Sequence, residues 1–336
     1  MSQSLPVIDI EPLRLMSDAA AIADTARRID AACREFGFFY AAGHGIDPAV
    51  VADLLAASEA FFALPEADKA AIAMDKGGIA WRGWFPVAGE LTSGIPDLKE
   101  GLYLGEELGA GDPRVAEGLP LHGANLWPEA VPALRPAVEA YLHAATRAGE
   151  ALMRGMALAL GFEADHFARG LTRRPMLLFR IFHYPALAHA AGGDEGFGVG
   201  EHSDYGLLTL LGQDDKGGLE VRTHHGWIDV PPRGDALVIN VGDMFERLTR
   251  GRFRSAPHRV VNRAAASRYS FPLFFDPDFA AGVEPLPIEN ADGGPGEARW
   301  DGVDFHKSIG TYGDYLIGKV SKVFPELADA RLDRDG

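Results

Sequence analysis

Residues 200–215, GEHSDYGLLTLLGQDD, place a histidine and an aspartate two positions apart, directly before an apolar run. Side chains two positions apart on an extended backbone point to the same face, so His202 and Asp204 can reach one ion. The run YGLLTLL behind them is typical of a buried strand. The stretch therefore predicts a β-rich fold with two candidate ligands at the edge of a strand.

The segment from Met176 to Phe275 contains several apolar runs of this length, separated by turn signals such as DDKGG and PPRGD. Many short strands with turns between them indicate a sandwich or jelly roll rather than βαβ units. We predict a mixed, mainly β fold whose core is a double-stranded β-helix, or jelly roll. The runs are MLLFRIFHYP, YGLLTLL, LEVR, WIDV, ALVINVG, HRVVN and RYSFPLFF.

Helical periodicity precedes this segment. Apolar residues recur at helical spacing over Ala19–Arg34, Ala49–Ala63 and Glu129–Leu160. These runs predict flanking N-terminal and central α-helices. The part between Lys76 and Gly109 has many Gly, Pro and aromatic residues without a clear period, so we predict a long ordered loop over a site.

Length and charge limit the class of protein. A chain of 336 residues, 47% of them hydrophobic, can bury a large core. The net charge of −16 argues against nucleic acid and membrane surfaces as partners, because both require clustered Lys and Arg. The single Cys33 cannot form an intramolecular disulfide, and residues 1–30 lack a secretory pattern. We therefore expect a cytoplasmic protein. The sequence leaves the oligomeric state open, and a monomer is the expectation.

A third candidate ligand is His258, which opens the predicted strand HRVVN. Two histidines and one carboxylate form the facial triad of non-haem Fe(II) oxygenases. Three protein ligands leave positions open for a bidentate cosubstrate and for dioxygen, which a closed tetrahedral site would exclude. For the H-x-D triplet alone, a surface His–Asp pair is the alternative.

A candidate anion site follows in RYSFPLFF, where Arg268 and Ser270 are again two positions apart and share one face. A buried arginine is costly unless it meets an anion, and a fork of donors beside a hydroxyl suits a carboxylate. The alternative is that Arg268 pairs with a carboxylate of the protein.

With these residues in place, the chain resembles the isopenicillin N synthase-like family of Fe(II)- and 2-oxoglutarate-dependent oxygenases over nearly its whole length. The resemblance implies an oxidoreductase that uses Fe(II), 2-oxoglutarate and O2 to hydroxylate, desaturate or cyclise a small-molecule substrate. Besides H-x-D, the distal histidine and R-x-S, the shared motifs are PVIDI, EFGFFYAAGHGI, FFALP, DLKEGLYLG, NLWP, HYP, VINVGDMFERLTRGRFRSAPHRVVN and RYSFPLFFDP.

The resemblance also implies roles for individual residues. His202, Asp204 and His258 would bind iron, and Arg268 with Ser270 would hold the distal carboxylate of 2-oxoglutarate. Tyr184, in HYP, matches a tyrosine that contacts the same cosubstrate. Many plant members carry an Asn two residues before this tyrosine, where this chain has Phe182, so one polar contact to the cosubstrate is absent.

The family pattern further suggests a division of the chain into regions, with the last one covering the barrel mouth. The regions are an N-terminal part that packs on the core (1–120), central helices (121–175), the jelly-roll core (176–280) and a C-terminal segment (281–336).

Arg180 alternates with Phe182 and Tyr184 on one predicted strand, so all three should face the same side. If Tyr184 points into the pocket, Arg180 is expected there too. It could bind a carboxylate of the substrate or of the cosubstrate, or pair with an acidic residue of the pocket wall.

We interpret the remaining polar and aromatic candidates either as structural residues or as part of the wall of the substrate pocket. We expect His44 to make a hydrogen bond at a turn, His183 to lie outside the pocket, and His224 with His225 to form an exposed hairpin tip. Asn240 and Asp243 are interpreted as turn and packing residues. Candidate walls of the substrate pocket are Arg82, Trp84, Phe85, Tyr103, Trp300, Phe305, Tyr312 and Tyr315.

Three alternative functions stay open at this point. An oxidase of the penicillin-forming or aminocyclopropane-carboxylate type keeps the iron but does not use 2-oxoglutarate, and an ethylene-forming enzyme consumes 2-oxoglutarate itself. The third alternative is a non-enzymatic metal-binding jelly-roll module, which would consume no oxygen.

Overall fold

The computed structural model of the chain describes residues 4–92, 94–186, 197–261, 266–288 and 310–323. The strands in this part are β1 Val7–Asp9, β2 Phe38–Ala42, β3 Gly83–Phe85, β4 Leu91–Thr92, β5 Ile95–Pro96, β6 Glu100–Gly105, β7 Met176–Tyr184, β8 Phe197–His202, β9 Leu208–Gln213, β10 Leu219–Thr223, β11 Gly226–Asp229, β12 Ala236–Val241, β13 His258–Val261 and β14 Arg268–Asp276.

Helices precede, interrupt and follow these strands. The α-helices are α1 Glu11–Leu15, α2 Ala19–Glu35, α3 Pro48–Phe62, α4 Glu66–Lys69, α5 Pro113–Ala116, α6 Leu134–Ala159, α7 Asp243–Leu248 and α8 Tyr312–Val323. Two 3₁₀ segments span Ala70–Ile72 and Met74–Ala80.

Two sheets form the jelly roll. The larger sheet has the strand order β1-β2-β12-β9-β14-β7-β6-β3, and the smaller sheet has the order β11-β10-β13-β8. Their neighbouring strands are antiparallel, except that β1 runs parallel to β2. Tyr40 and Val238 of the larger sheet pack with Val221 and Val260 of the smaller sheet in one buried cluster. The predicted jelly-roll core with flanking helices is confirmed.

Side chains of the larger sheet alternate between two buried environments. On β7, Phe179 and Ile181 belong to the apolar core, whereas Arg180, Phe182 and Tyr184 line a cavity on the opposite face. Strands buried on both faces appear in a sequence as nearly continuous apolar runs, which is why these segments were recognisable as strands. The residues of β14 that line the same cavity are Arg268, Ser270, Pro272 and Phe274.

Helices α2 and α3 both pack against α6, and α6 also contacts β14 and β9. A Cβ atom at Gly149 would lie 2.5 Å from the Phe275 ring, so a residue without a side chain lets α6 approach β14 closely. The Asp18 carboxylate caps α2 by accepting hydrogen bonds from the backbone N–H groups of Ala20 and Ala21. The helices thus cover the face of the sheet that is opposite the cavity.

Two local predictions are wrong. Helix α6 begins at Leu134 rather than at Glu129, because Pro132 has no N–H donor and disfavours helical backbone at the residue before it. The part between Lys76 and Gly109 contains β3, β4, β5 and β6 instead of a long loop. The strand β6 forms by pairing with the distant strand β7, and its own sequence has no clear periodicity that predicts a strand.

Strands β1, β2, β3 and β6 come from the N-terminal third of the chain but belong to the same sheet as β7, β9, β12 and β14. The division of the chain at residues 120, 175 and 280 stays a prediction. Among the described helices, none is by itself long and apolar enough to span a membrane. Pro48–Phe62 and Glu66–Ile72 reach that length and composition only as a pair, bent by 115°.

Candidate active site

Three polar residues from separate parts of the chain meet at one end of the jelly roll. His202 ends β8, Asp204 lies in the loop that follows, and His258 begins β13. One ligand atom from each residue lies within 4.8 Å of the other two. The Nε2 atoms of His202 and His258 are 3.8 and 3.7 Å from Asp204 Oδ1. The structure therefore brings the three candidate ligands together, although Asp204 lies just beyond the strand.

Backbone carbonyl groups orient both histidine rings. Nδ1 of His202 lies 2.8 Å from the carbonyl oxygen of Gly200, and Nδ1 of His258 lies 3.3 Å from that of Ala256. A carbonyl oxygen only accepts, so each neutral ring carries its proton on Nδ1 and directs the Nε2 lone pair at the site. This arrangement is the one that metal-binding histidines use.

The protonation states at the site also suit a cation. Burial, with a smaller contribution from His202, lowers the pKa of His258 to about 4. Burial opposes ionisation of Asp204, but the two histidines, Thr209 and Asn240 together outweigh it and lower the pKa of this carboxyl. At neutral pH the site therefore holds a neutral His258 and an ionised Asp204, the states that bind a divalent metal.

Two side chains of the larger sheet fix the Asp204 carboxylate. Asn240 Nδ2 donates to Asp204 Oδ2 at 2.7 Å, and the Thr209 hydroxyl donates to the same oxygen. Asn240 and Thr209 are directly opposite each other on β12 and β9. Because both donors hold Oδ2, Oδ1 faces the histidines. The interpretation of Asn240 as a turn and packing residue is wrong, since it lies within a strand and positions a candidate ligand.

Replacing Asn240 with Ala is expected to weaken divalent-metal binding about 10- to 100-fold, since partners that orient a ligand contribute that much to affinity. Anaerobic titration with Mn(II), followed by the loss of the free-ion electron paramagnetic resonance signal, measures this constant. Asn125→Ala is the matched control, because its amide is equally buried but bonds to Gly105 and Glu107 away from the site. Equal Mn(II) affinities for Asn240→Ala and wild type would show that Asn240 does not position the candidate ligand Asp204.

A second cluster lies on β14 and β7, where Arg268 is directly opposite Tyr184 and Ser270 is opposite Phe182. Only 1% of Arg268 is exposed. Its Cζ lies 4.6 Å from the centroid of the Tyr184 ring, and its Nη2 donates to Gln213 Oε1 at 3.3 Å. Nε and Nη1 of Arg268 have no hydrogen-bond partner in the described part of the chain.

These two clusters fit the groups that the sequence implies. Two histidines and one carboxylate, with other positions open, are the ligand set of mononuclear non-haem iron. A buried guanidinium with unpaired N–H donors is costly unless an anion binds it, and its fork of donors matches a carboxylate. The Arg268 donors that lack a protein partner therefore fit the distal carboxylate of 2-oxoglutarate.

One cavity of about 370 Å³ connects the two clusters. His202, Asp204 and His258 line it together with Arg268 and Ser270. Tyr184, Arg180 and Phe182 line it as well, so every residue that the sequence assigned to iron or to a carboxylate faces one space.

The prediction of the residues that form the wall of the substrate pocket is only partly correct. Tyr103 lines the cavity, but Arg82 does not, because its guanidinium is buried against the carbonyl oxygens of Leu104 and Leu121. Four further candidates do not line the cavity either: Trp84, Phe85, Tyr312 and Tyr315. Trp300 and Phe305 lie outside the described residues.

His44, His183, His224 and His225 lie where the sequence predicts them. His44 Nδ1 accepts a hydrogen bond from the Ile46 N–H at a turn, and His224 and His225 form an exposed hairpin tip between β10 and β11. His183 does not line the cavity; its Nδ1 lies 2.8 Å from Glu100 Oε1.

Asp243 begins α7 and accepts a hydrogen bond from Ser255, yet it also lines the cavity.

Several cavity residues escaped the sequence reasoning. Glu90, Lys99 and Lys319 are charged and line the wall. Asp276 lines it too, and burial raises the pKa of its carboxyl to about 7 although the Tyr312 hydroxyl donates to it. Lys99 stands within the shared motif DLKEGLYLG and Asp276 within RYSFPLFFDP, but nothing local distinguishes their chemistry from that of a surface charge.

Comparison with known proteins agrees with this site. Residues 5–130 match the family described as the non-haem dioxygenase in morphine synthesis N-terminal region, and residues 176–277 match the 2OG-Fe(II) oxygenase superfamily. An iron/ascorbate oxidoreductase of Dictyostelium discoideum is 42% identical, over 97% of this chain and 96% of the relative. A homoarginine-6-hydroxylase of Arabidopsis thaliana is 34% identical, over 96% and 98% of the two chains.

A solved structure extends the likeness to the bound cosubstrate. A full-length Neurospora crassa protein in complex with 2-oxoglutarate superposes with a TM-score of 0.77 at 26% identity, over 94% of this chain and 96% of that one. The chain belongs to the 2OG-Fe(II) oxygenase superfamily. It is an oxidoreductase, a dioxygenase that uses Fe(II), 2-oxoglutarate and O2 on small-molecule substrates, and not a non-enzymatic module.

Proposed function

We propose that His202, Asp204 and His258 hold the iron of this dioxygenase and that Arg268, Ser270 and Tyr184 hold 2-oxoglutarate. The observation that carries the proposal is the buried Arg268 guanidinium, whose Nε and Nη1 lack partners in the described residues, in the same cavity as the three ligands. When bound, iron and 2-oxoglutarate supply oxidative decarboxylation coupled to attack on a substrate C–H bond.

The protein residues arrange and isolate these groups. The hydrogen bonds at the two histidine Nδ1 atoms and at Asp204 Oδ2 aim three ligand atoms at one point. Arg268 fixes the far end of the cosubstrate and so sets the direction in which its keto-acid end points. Apolar walls such as Leu211, Val260 and Phe274 exclude water from the reacting groups.

We further propose that the substrate is a small amino-acid-like molecule and that the outcome is hydroxylation. The similarity to a homoarginine-6-hydroxylase supports this choice. The cavity volume of about 370 Å³ falls within the range of small-molecule sites. Its wall combines apolar residues with the charged residues Glu90, Lys99 and Arg180, as a substrate with both apolar and ionic parts requires.

The test is an assay of succinate and product with L-homoarginine. We expect succinate formation that requires Fe(II), 2-oxoglutarate and O2 and that rises when L-homoarginine is added, with a product one oxygen atom heavier by mass spectrometry. Protein without metal is the control. Ethylene in the headspace, or oxidation of L-homoarginine without 2-oxoglutarate, would instead support one of the two related activities.

Two more proposals concern the setting of the enzyme. We propose that it belongs to the isopenicillin N synthase-like group, because the shared motifs extend from PVIDI to RYSFPLFFDP. We also propose that it is a cytoplasmic monomer. Its one cysteine, Cys33, is buried, and burial raises the pKa of the thiol, so neither a disulfide nor a reactive thiol supports an oxidising compartment.

A further inference from the structure

We propose that Arg180 anchors a carboxylate of the prime substrate, at an anion site separate from the one at Arg268. The proposal rests on the proposed function and names the chemistry of the substrate side of the same cavity. It makes the substrate a small carboxylic acid, which includes amino acids.

Arg180 forms no ion pair within 4 Å in the described part of the chain, and its nearest acidic neighbours there, Glu90 and Asp276, act on it only at longer range. Its side chain lines the cavity, and its Nη1 donates to two backbone carbonyl oxygens, of Leu104 at 3.4 Å and of Phe179 at 3.2 Å. Burial lowers the pKa of Arg180, and Tyr103, Glu90 and Asp276 oppose this shift only in part. An anion in the cavity would offset that cost.

The other cations of the cavity wall have partners or an assigned ligand. Lys99 forms ion pairs with Glu90 and Asp97, and Lys319 lies 3.7 Å from Asp243. Arg268 is the proposed partner of 2-oxoglutarate. Among the described cations that line the cavity, Arg180 is therefore the one left to meet an additional anion.

Arg180 and Arg268 serve different parts of the cavity. Arg268 is opposite Tyr184, and Arg180 is four residues from Tyr184 on the same strand, which separates the two backbone positions by about 13 Å. The Arg268 guanidinium stays over the Tyr184 ring. The Arg180 guanidinium lies 5.8 Å from the Phe274 ring, and Phe274 is opposite Thr209, which holds the metal ligand Asp204. Arg180 is thus at the metal end, where a substrate must bind.

The guanidinium of Arg180 is also held in a defined orientation. Its Cζ lies 3.4 Å from the centroid of the Tyr103 ring. The Tyr103 hydroxyl donates to Glu90, and Glu90 is held in turn by Lys99 at 2.8 Å. A planar guanidinium stacked on an anchored ring keeps its N–H fork in one plane, which suits two-point binding of a carboxylate.

Arg82 shows what a purely structural arginine looks like in this fold. It is 2% exposed and lies outside the cavity wall, and two of its nitrogens donate to Leu104 and Leu121 carbonyl oxygens at 2.6 and 3.0 Å. Arg180 instead reaches carbonyl oxygens through a single nitrogen, by longer bonds, and its side chain lines the cavity.

The experiment is calorimetric titration, without oxygen, of protein loaded with Mn(II) and 2-oxoglutarate. The probes are two acids and their primary amides: L-homoarginine with L-homoargininamide, and hexanoate with hexanamide. We expect wild type to bind at least one acid about tenfold or more tightly than its amide, as a charge-assisted hydrogen bond implies. Arg180→Gln should bind acid and amide equally, while its dissociation constant for 2-oxoglutarate stays within about twofold of wild type.

Further variants separate charge from folding. Arg180→Lys should retain part of the preference for the acid, and a wild-type-like thermal midpoint shows that each variant is folded. Arg174→Gln is the matched control, since it removes an exposed arginine that pairs with Asp278. The proposal is overturned if neither acid is preferred by wild type, if the preference survives in Arg180→Gln, or if this variant loses 2-oxoglutarate affinity. The proposed function fails separately, if Arg268→Gln keeps its 2-oxoglutarate affinity.

Discussion

Asp204→Asn is expected to abolish iron binding at working concentrations and, with it, oxygen-dependent consumption of 2-oxoglutarate. The change removes the negative charge that two neutral histidines cannot replace. The asparagine oxygen can still accept hydrogen bonds from Asn240 and Thr209, which leaves its NH2 group facing the His202 and His258 Nε2 atoms. Removing one charge from a buried pair costs about 3–5 kcal/mol, or on the order of 100- to 5,000-fold in affinity.

Two measurements check this result. Anaerobic titration with Fe(II) in the presence of 2-oxoglutarate should give a charge-transfer absorption band for wild type and none for Asp204→Asn, and an oxygen electrode should show no uptake by the variant. Asp215→Ala is the control, because Asp215 is exposed and pairs with Lys216. A variant that binds Fe(II) within tenfold of wild type would show that Asp204 is not a ligand.

Arg268→Gln is expected to raise the dissociation constant for 2-oxoglutarate by about 30-fold or more, because truncating one partner of a buried charge pair costs at least about 2 kcal/mol. The variant should not unfold at a lower temperature than ligand-free wild type, since it removes a buried guanidinium with two unpaired donors. The rise in melting temperature that 2-oxoglutarate gives wild type should be lost.

Pyruvate supplies the matched control for the Arg268 prediction. It keeps the keto-acid end that would meet the metal but lacks the distal carboxylate. Wild type should prefer 2-oxoglutarate to pyruvate, and Arg268→Gln should bind both with similar, weak affinity. If the variant still prefers 2-oxoglutarate by the wild-type margin, the distal carboxylate binds elsewhere, and Ser270 with Tyr184 becomes the place to search.

The candidate ligands were predictable because the relevant rule is local. His202 with Asp204, and Arg268 with Ser270, are pairs two residues apart. Strand geometry places Arg268 and Ser270 on one side of β14, and the extended chain that continues β8 carries Asp204 to the same site as His202. The runs from β7 to β14 were predictable for a similar reason, since a strand buried on both faces has to be apolar along most of its length.

The positioning residues were not predictable in this way. Asn240 and Thr209 are 36 and 5 residues from Asp204, and they meet its carboxylate only because β12 and β9 pair in one register. A shift of β12 by one residue against β9 would turn Asn240 to the helix-covered face. No local pattern in the sequence encodes that register.

The residues of the pocket wall were also only partly predictable from the sequence. Arg82 and Tyr103 looked equally suitable as wall residues, but the carbonyl oxygens of Leu104 and Leu121 hold Arg82 behind the wall. Residues that are distant in sequence decide whether a charged side chain faces the cavity or the backbone behind the cavity wall. They also decide whether that side chain has an ion-pair or hydrogen-bond partner. Burial and pairing, rather than residue type, set the free-energy cost of enclosing a charged side chain and therefore its chemistry.

The sequence alone predicts the jelly-roll class and the candidate pairs His202 with Asp204 and Arg268 with Ser270, because each depends on residue type and short spacing. It adds His258 as a candidate ligand through its place at the start of a strand. The three-dimensional structure was needed to show that these candidate sites share one cavity, that Asn240 holds the Asp204 carboxylate, and that Arg180 lines the same cavity. Those facts depend on strand pairing over long separations, which brings together side chains that no local pattern relates.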